Sequence, residues 1–342
     1  MNYMIKSYKE AERIGRQDIP NVAIQAFALA WWRSSDYPHE IESSSELWKF
    51  HNQMHDGRFD LNATLIGEID SSLHQTIIST AEILVSYTKS TFGFADCARE
   101  SFSRAILQFN YLYRLNRDLS SMSILEIGPG NGYLGLLLAI HGVKYYALEA
   151  CQAFYMYQNS IWNYAFGNSY FDGIKRREEG SETIIEHVPY WNVCNRDFMF
   201  PNVTHISANH VISEMNPLAI NRICQLIARS KTPPTIVIEG LGYPHIPHHE
   251  VKKMFTSQGF HWESYEGGII DLVTYGNGQQ QVELKLDADI EANFKQRVKS
   301  KFNRYAKQKE ITKPIPCAFI STLFSSLPSV PHAEYLWRAG EW

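Results

Sequence analysis

Apolar residues change their spacing near residue 120 of this 342-residue chain. Before that point they recur every three or four positions over 24–32, 77–87 and 98–115, which is the spacing of amphipathic helices. Beyond it, short apolar runs alternate with segments of helix length, as in a parallel β-sheet that carries helices on its faces. We therefore predict a helical N-terminal region over 1–116, followed by an α/β domain over 117–278.

The α/β segment contains five strand-like runs that are separated by helical segments or loops. We predict these strands at Ser123–Ile127, Lys144–Leu148, Ile184–Tyr190, Thr204–Asn209 and Thr235–Glu239. Helices between them are predicted at Tyr133–Ile140, Ala150–Tyr164 and Pro217–Ser230.

Two later runs predict a hairpin. His261–Tyr265 and Ile269–Tyr275 follow a helix predicted over His249–Gln258, and two consecutive glycines join them. Such a tight connection favours antiparallel pairing, whereas a nicotinamide-binding domain continues with parallel crossovers. The predicted fold class is therefore α/β, with a Rossmann-like sheet that is mostly parallel and ends in an antiparallel hairpin. The remaining segment, 279–342, is predicted to be an extension that packs on this domain.

Composition and charge exclude several kinds of partner. The net charge of −4, with 32 Lys and Arg against 36 Asp and Glu, leaves no basic surplus for a nucleic acid or an anionic membrane. The five cysteines include no C-x-x-C pair that could hold zinc. No apolar run is long enough to span a bilayer, and the N-terminus has no apolar signal segment. We expect a cytoplasmic location, and we leave a homodimer open.

A glycine-rich turn is the strongest signal for a cofactor. Gly128, Gly130 and Gly132 follow the first predicted strand, where the absence of a Cβ lets the backbone approach a ligand closely. The helix that begins near Tyr133 offers free N–H groups and the positive end of its dipole. Glu149 ends the next strand about twenty residues further on, where a carboxylate can accept hydrogen bonds from two ribose hydroxyls. These residues predict a site for a cofactor that contains a nucleoside.

The glycine motif alone leaves two cofactors open. Gly130 to Gly135 also satisfies G-x-G-x-x-G, and an acid at this distance serves NAD as well. Glu126, however, lies inside the strand that precedes the glycines, where dinucleotide-binding domains carry an apolar residue and methyltransferases carry an acid. The long helical segment before the turn and the terminal hairpin also favour a methyltransferase. An NAD(P)-dependent oxidoreductase and a non-catalytic cofactor-binding module remain the alternatives.

Three stretches resemble a known family. Leu125 to Gly132 (LEIGPGNG), His187 to Trp191 (HVPYW) and Ser207 to Met215 (SANHVISEM) together resemble the sugar O-methyltransferases of bacterial glycan clusters, within the class I S-adenosylmethionine-dependent methyltransferases. The resemblance covers roughly residues 40 to 275 and implies S-adenosylmethionine (SAM) as methyl donor and S-adenosylhomocysteine (SAH) as product. It also implies a sugar or a sugar-linked small molecule as acceptor. A methyltransferase of peptides or of other small molecules stays open.

Deprotonation of an acceptor hydroxyl calls for a base. His210 directly follows the fourth predicted strand, at the edge where open parallel sheets bind ligands, and is the leading candidate for the catalytic base. Glu214 comes four residues later and would share a helical face with His210, so that it could orient the ring or act on the helix dipole. Packing or a role at a helix start is the alternative for His210.

The remaining candidates are aromatic or polar residues near the ends of strands. Trp191 and Asn209 complete the predicted cofactor-binding set with Glu126, the three glycines and Glu149; core packing is the alternative for Trp191. Three histidines follow the fifth strand, namely His245, His248 and His249, but their spacing matches no established ligand set. We therefore predict no metal site and leave a divalent metal open. A lid over the acceptor or simple packing is considered for four aromatic residues: Trp31, Trp32, Trp48 and His51.

Overall fold

A computed structural model describes residues 2–23, 40–52, 59–175, 182–240, 246–265, 270–276 and 317–329 of the chain. Several predicted features lie outside these residues. They are the helix over 24–32 with Trp31 and Trp32, His245, and the two glycines between the last two strands.

Within the described residues, eight strands form one sheet. They are β1 (Ser123–Ile127), β2 (Lys144–Glu149), β3 (Tyr170–Asp172), β4 (Ile185–Pro189), β5 (His205–Ser207), β6 (Thr235–Glu239), β7 (Phe260–Tyr265) and β8 (Ile270–Tyr275). The strand order is β3-β4-β2-β1-β5-β6-β8-β7, with parallel pairing from β3 to β6 and antiparallel pairing of β6 with β8 and of β8 with β7. The predicted fold class, a mostly parallel Rossmann-like sheet with a terminal antiparallel hairpin, is confirmed.

Two details of the sheet differ from the prediction. The edge strand β3 was not predicted, because three residues are too few to show an alternating pattern; it pairs with β4 from Tyr170 opposite Ile185. In addition, β5 ends at Ser207, so that Asn209 and His210 both lie in the loop beyond it. This shorter strand places both residues at the carboxyl edge of the sheet, where open α/β sheets bind ligands.

The described residues contain ten α-helices. Four precede the sheet: α1 (Asn2–Gly15), α2 (Phe59–Ile66), α3 (Ser71–Phe92) and α4 (Arg99–Leu115). Five follow strands: α5 (Tyr133–Ile140), α6 (Gln152–Phe166), α7 (Tyr190–Cys194), α8 (Pro217–Ala228) and α9 (His248–Thr256). The last is α10 (Ala318–Ser326), and a 3₁₀ helix spans Ser44–Phe50.

Local sequence explains where several of these helices begin and end. Asp70 accepts a hydrogen bond from the Ser72 backbone N–H at 3.0 Å and so caps α3, which ends at Gly93 in the left-handed conformation. Asn216 caps α8 in the same way, and Pro217 occupies the first helical position, where its missing N–H costs nothing. These short-range signals are why the predicted start of α8 agrees with the structure.

The N-terminal helices share one hydrophobic core with the sheet. Helices α3 and α4 pack against α5, whose side chains are buried from Tyr133 to Ala139. The core runs from Ile5 on α1 to Phe324 on α10 without interruption. Helix α10 reaches the N-terminal helices, because Phe324 packs edge-on against Phe59 at 5.0 Å between ring centroids. In the described part of the chain, no helix has the length and apolar character needed to cross a bilayer.

Candidate functional site

Three glycines shape the turn that joins β1 to α5. Gly128, Gly130 and Gly132 have positive φ angles of 66°, 56° and 76°, a region that glycine occupies without strain. A Cβ on Gly128 would lie 2.8 Å from Val211, and one on Gly132 would lie 2.7 Å from Trp162. A Cβ on Gly130 would meet no described atom within 4 Å. Packing as well as conformation therefore requires Gly128 and Gly132, whereas Gly130 faces open space.

Asn131 attaches this turn to the N-terminal region. Its Nδ2 donates hydrogen bonds to the carbonyl oxygens of Phe50 and His51, the latter at 3.2 Å. His51 is fully buried, with Nε2 3.1 Å from Asp96 Oδ2 and Nδ1 2.7 Å from the Tyr157 hydroxyl. The ring of His51 therefore packs behind the turn and does not form a lid over an acceptor, the role considered for it from the sequence.

Glu126 places a carboxylate beside the turn. It is 3% exposed, and its Oε2 accepts a hydrogen bond from the Tyr145 hydroxyl at 2.6 Å. Burial raises the pKa of Glu126 to about 7, and the charge of Glu149 adds to the rise, while hydrogen bonds from Tyr145 and Asn209 oppose it. A cationic group of a ligand would stabilise the ionised form of this carboxyl.

Glu149 is held mainly by backbone N–H groups. Its carboxylate accepts hydrogen bonds from the Cys151 N–H at 2.7 Å and from Gln158 Nε2 at 3.2 Å. Burial raises the pKa of Glu149 to about 7, although these bonds and further ones from the Ala150 and Gly130 N–H groups lower it. The acid thus links the end of β2 to the glycine turn.

Around the end of β2, three buried polar atoms have no hydrogen-bond partner among the described residues. They are Tyr8 Oη, Gln152 Nε2 and Gln158 Oε1. Buried polar atoms are nearly always paired, so such a group of exceptions indicates a missing ligand or water. We call Glu149, Gln152, Gln158 and Tyr8 the closed end of the site.

An open cavity of about 510 Å³, counted with its mouth, begins at the glycine turn. Glu126, Gly128 and Gly130 line one side of it, and we call these residues and the cavity the open end of the site. Ser101, Arg104 and Gln108 of α4 line another side, and Asn209 and His210 complete the wall. Residues from three distant parts of the chain therefore meet at the carboxyl edge of the sheet.

His210 is paired with a carboxylate at this cavity. Its Nε2 lies 2.7 Å from Glu239 Oε2, and its φ of 53° is unusual for a residue other than glycine. The His210 N–H donates to the carbonyl of Gly240 at 3.0 Å, and a Cβ on Gly240 would lie 2.6 Å from the imidazole. Strained backbone of this kind persists where the surrounding structure fixes it, often at functional sites.

Electrostatics indicate that Glu239 is ionised. Burial alone would raise its pKa, but the charge and hydrogen bond of His210, with the charge of Arg104 and a weaker contact from Gln108, leave the pKa below its usual value. When the imidazole is neutral and Nε2 donates to Glu239 Oε2, its lone pair is on Nδ1. The pair has the arrangement of a general base and its orienting carboxylate.

The carboxylate that pairs with His210 is a different residue from the one expected from the sequence. Glu239, which ends β6, pairs with His210, whereas Glu214 lies in a short 3₁₀ helix over Ile212–Glu214 that does not continue the face of His210. The helical continuation on which the prediction for Glu214 rested is absent from this described loop. Any other catalytic role of Glu214 stays a prediction.

The predicted cofactor residues fall into two groups. Glu126, the three glycines, Glu149 and Asn209 lie together around the turn; Asn209 Oδ1 accepts a hydrogen bond from the Glu239 N–H at 2.8 Å, which ties β6 to the loop after β5. Trp191 lies instead in α7 and is 6% exposed, with its ring edge-on to Tyr8 at 5.4 Å. It packs under α1, so its role toward a cofactor stays a prediction.

The histidines after β6 are arranged as an exposed helix start. His248 and His249 form the first turn of α9 and face solvent. Among the residues that the structure describes, no three His, Cys, Asp or Glu side chains come together as a set of metal ligands.

Sequence reasoning missed the residues that come from far along the chain. Arg104 and Gln108 lie four residues apart on α4 and so share the face that lines the cavity, but the docking of α4 on α5 has no local signal. Glu239 could have been found from the sequence, because β5 and β6 are neighbouring parallel strands whose carboxyl ends meet at one edge.

Two comparisons with known proteins found no match. No family model matches the sequence. A search of curated proteins gave no match either.

Solved structures with a similar fold are distant. The ribosomal protein L11 methylase from Lactobacillus delbrueckii subsp. bulgaricus is 12% identical, with a TM-score of 0.35 over 51% of this chain and 80% of its own. Magnesium protoporphyrin IX methyltransferase from Synechocystis PCC 6803 with bound SAH is 11% identical, with a TM-score of 0.34 over 57% of this chain and 97% of its own. The cyclase SpnF is 12% identical, with a TM-score of 0.34 over 59% of this chain and 77% of its own.

Proposed function

We propose that this protein is a SAM-dependent O-methyltransferase that acts on a hydroxyl of a sugar or a sugar-linked small molecule. The observation that carries the proposal is the His210–Glu239 pair, 2.7 Å apart, in the wall of a cavity that begins at the glycine turn. A base that is oriented by a carboxylate suits an acceptor that must lose a proton, and an alcohol is such an acceptor.

The open end favours SAM over a dinucleotide. A pyrophosphate at the start of α5 would lie close to the carboxyl group of Glu126, which lines the same cavity, and like charges in a buried site repel strongly. The methionine part of SAM carries both an ammonium and a carboxylate. Glu126 would hold the ammonium, and the first N–H groups of α5 would hold the carboxylate. At the closed end, Glu149 would accept hydrogen bonds from the ribose hydroxyls.

The residues of this chain have distinct tasks in the reaction. SAM, when bound, supplies an electrophilic methyl group on a sulfonium. Nδ1 of His210 accepts the proton of the acceptor hydroxyl, and Glu239 stabilises the imidazolium that results. Ser101 and Gln108 of α4 line the same cavity and would orient the acceptor.

A sugar-like acceptor fits the polar character of this wall. Ser101, Arg104 and Gln108 place a hydroxyl, a guanidinium and an amide on one helix face, where they can bind a ligand with several hydroxyls. The Ser101 hydroxyl also donates to Asn52 Oδ1 at 3.2 Å, so toward a ligand it would act as an acceptor. The resemblance of three sequence stretches to sugar O-methyltransferases supports the same class. As part of this proposal, the reaction takes place in the cytoplasm and involves no nucleic acid or membrane.

Two measurements test the proposal. Because a ligand that binds only the folded state stabilises it, SAH at a hundred times its Kd should add about 2.7 kcal/mol to the free energy of unfolding, which thermal unfolding reports. NAD at the same concentration should leave Tm unchanged. Stabilisation by NAD alone would contradict the cofactor.

The acceptor needs a transfer assay with SAM that carries a labelled methyl group. Nucleotide sugars, glycans, peptides and small phenols serve as the panel, and we expect label on the sugars. Label on peptides or phenols only would keep the methyltransferase and reject the sugar. Binding of SAH without transfer to any acceptor would favour a non-catalytic binding module.

A further inference from the structure

Tyr8 of helix α1 lies at the carboxyl ends of β2 and β4. Its ring centroid is 4.9 Å from that of Tyr155, in the first turn after β2, and 5.4 Å from that of Trp191, directly after β4. Glu149 and Pro189 are register partners at the ends of these two strands. Helix α1 therefore covers the edge of the sheet at which Glu149 lies.

Helix α1 is held at this edge at both of its ends. Near its C-terminus, Gly15 lies so close to Trp191 that a Cβ would be 2.3 Å from the indole ring. One turn earlier, Glu12 accepts a hydrogen bond from the Tyr190 hydroxyl. Near its N-terminus, Ile5 is buried in the main core. This close fit places the side chain of Tyr8 firmly over the closed end.

The Tyr8 hydroxyl is buried and unpaired among the described residues. Tyr8 is 1% exposed, and its Oη has no hydrogen-bond partner among the described residues. Burial raises the pKa of the Tyr8 hydroxyl, and the charges of Glu12 and Glu149 raise it further, so that Tyr8 keeps its proton and remains a donor. An unpaired buried donor is unfavourable, so this hydroxyl is suited to donate to a bound group.

Two neighbouring side-chain amides also have an unpaired polar atom. Gln152 uses its Oε1 to accept from the Ile41 N–H at 2.9 Å, which leaves Nε2 unpaired. Gln158 uses its Nε2 to donate to the Gly130 carbonyl at 2.6 Å, which leaves Oε1 unpaired. A nucleoside has hydroxyls that both donate and accept, ring nitrogens that accept, and an exocyclic amine that donates. Its donors and acceptors are chemically complementary to the three unpaired atoms.

We propose that α1 is a clamp on the adenosine part of the ligand and that the Tyr8 hydroxyl donates a hydrogen bond to it. This inference rests on the proposed function, because it assumes a cofactor that contains adenosine. It adds a binding residue from the N-terminal helical region, far in sequence from the glycine turn and from Glu149.

Substitution Tyr8→Phe removes only the hydroxyl, and Tyr87→Phe is the matched control. The Tyr87 hydroxyl is also buried but donates to Ser160 Oγ at 2.9 Å. Without ligand, Tyr8→Phe should leave Tm unchanged or raise it, whereas Tyr87→Phe should lower Tm. In calorimetric titration with SAH, Tyr8→Phe should weaken binding at least fivefold, and Tyr87→Phe should bind within twofold of the wild type.

A second ligand locates the contact. 5′-Methylthioadenosine keeps the adenosine of SAH and lacks its amino-acid part, so Tyr8→Phe should weaken binding of both ligands by a similar factor. Glu126→Gln should weaken binding of SAH alone. Loss of SAH affinity without loss of 5′-methylthioadenosine affinity in Tyr8→Phe would overturn the clamp.

The outcomes also separate this inference from the proposed function. If the wild type binds SAH and Tyr8→Phe binds it equally well, the clamp is wrong and the cofactor stands. If the wild type binds neither ligand, both proposals are wrong. A lower Tm of ligand-free Tyr8→Phe, equal to that of Tyr87→Phe, would show that the hydroxyl serves the fold and would likewise overturn the clamp.

Discussion

The open end and the closed end of the site each contain one buried acid, and the two acids are held in different ways. Glu126 and Glu149 are 3% and 5% exposed, and burial raises both pKa values to about 7. Side chains of Tyr145 and Asn209 hold Glu126, whereas backbone N–H groups and Gln158 hold Glu149. Single substitutions at Tyr145 or Asn209 can therefore change the pKa of Glu126. The backbone N–H groups that hold Glu149 cannot be removed by changing a side chain.

The largest effect should come from the base at the open end. His210→Asn keeps the left-handed backbone that Asn tolerates and removes the imidazole, so kcat should fall by about 10² to 10⁴ while SAH affinity stays within twofold. Initial rates with saturating SAM measure the loss. Glu239→Gln should cost more activity than Glu214→Gln; the reverse order would return the orienting role to Glu214.

As pH rises, the stability of the ligand-free protein should fall, whereas its affinity for SAH should rise. A carboxyl with a folded pKa of about 7 and an ordinary value of 4.5 binds more protons when folded. Its contribution to stability is therefore complete below about pH 4.5 and is lost as pH rises to about 7, at a cost of about 3 kcal/mol per carboxyl at most. SAH affinity should rise over the same window, because its ammonium needs the ionised form of Glu126.

Urea unfolding at pH 5.5 and pH 7.5, with and without SAH, measures both slopes. Glu126→Gln removes one of the two titrating groups and should show a smaller loss of stability between these pH values than the wild type. Equal losses in the two proteins would mean that Glu126 titrates in its ordinary range.

Two substitutions in the glycine turn separate the effect of packing from that of ligand contact. Gly132→Ala places a Cβ 2.7 Å from Trp162 in a left-handed conformation, and we expect a loss of about 2 kcal/mol or more in the free energy of unfolding. Gly130→Ala meets no described atom and should cost only about 1 kcal/mol, since strain alone acts. SAH affinity should nevertheless fall in Gly130→Ala; unchanged affinity would show that this glycine does not face the ligand.

The smallest effect should come from the side chain that holds Glu126. Tyr145→Phe removes the hydrogen bond of 2.6 Å to the carboxylate and should weaken SAH binding by about three- to tenfold, the value of one such bond. Binding of 5′-methylthioadenosine should not change. If both ligands lose affinity equally, Tyr145 acts through the fold of the sheet and not through the open end.

Local patterns were enough to predict the part of the site that is contiguous in sequence. The short apolar run of β1, the glycines that follow it and the apolar helix α5 lie within eighteen residues, from Ser123 to Ile140, and the structure reproduces these bounds. Glu149 followed from the length of one β-α-β unit. The signals were strong because sterics and hydrogen bonding within a short segment determine them.

Contacts between distant segments were not predictable in the same way. Tyr8 and Arg104 reach the site through the docking of α1 and α4, which depends on the shape of complete surfaces and not on local spacing. The carboxylate partner of His210 was sought four residues away on an expected helix. A loop with a single 3₁₀ turn formed instead, and the partner came from the adjacent strand.

The wall that α4 contributes to the cavity has a consequence for how such a protein can diversify. Ser101, Arg104 and Gln108 belong to a helix outside the sheet, while the groups proposed to carry out the transfer belong to the sheet and its loops. Substitution of Ser101 should therefore change which molecules are accepted and leave the proposed catalytic pair intact. Substitutions of Arg104 and Gln108 should also act on Glu239, because both residues lower its pKa. On this scaffold, a change of acceptor at 104 or 108 is coupled to a change in the pair that would carry out the transfer.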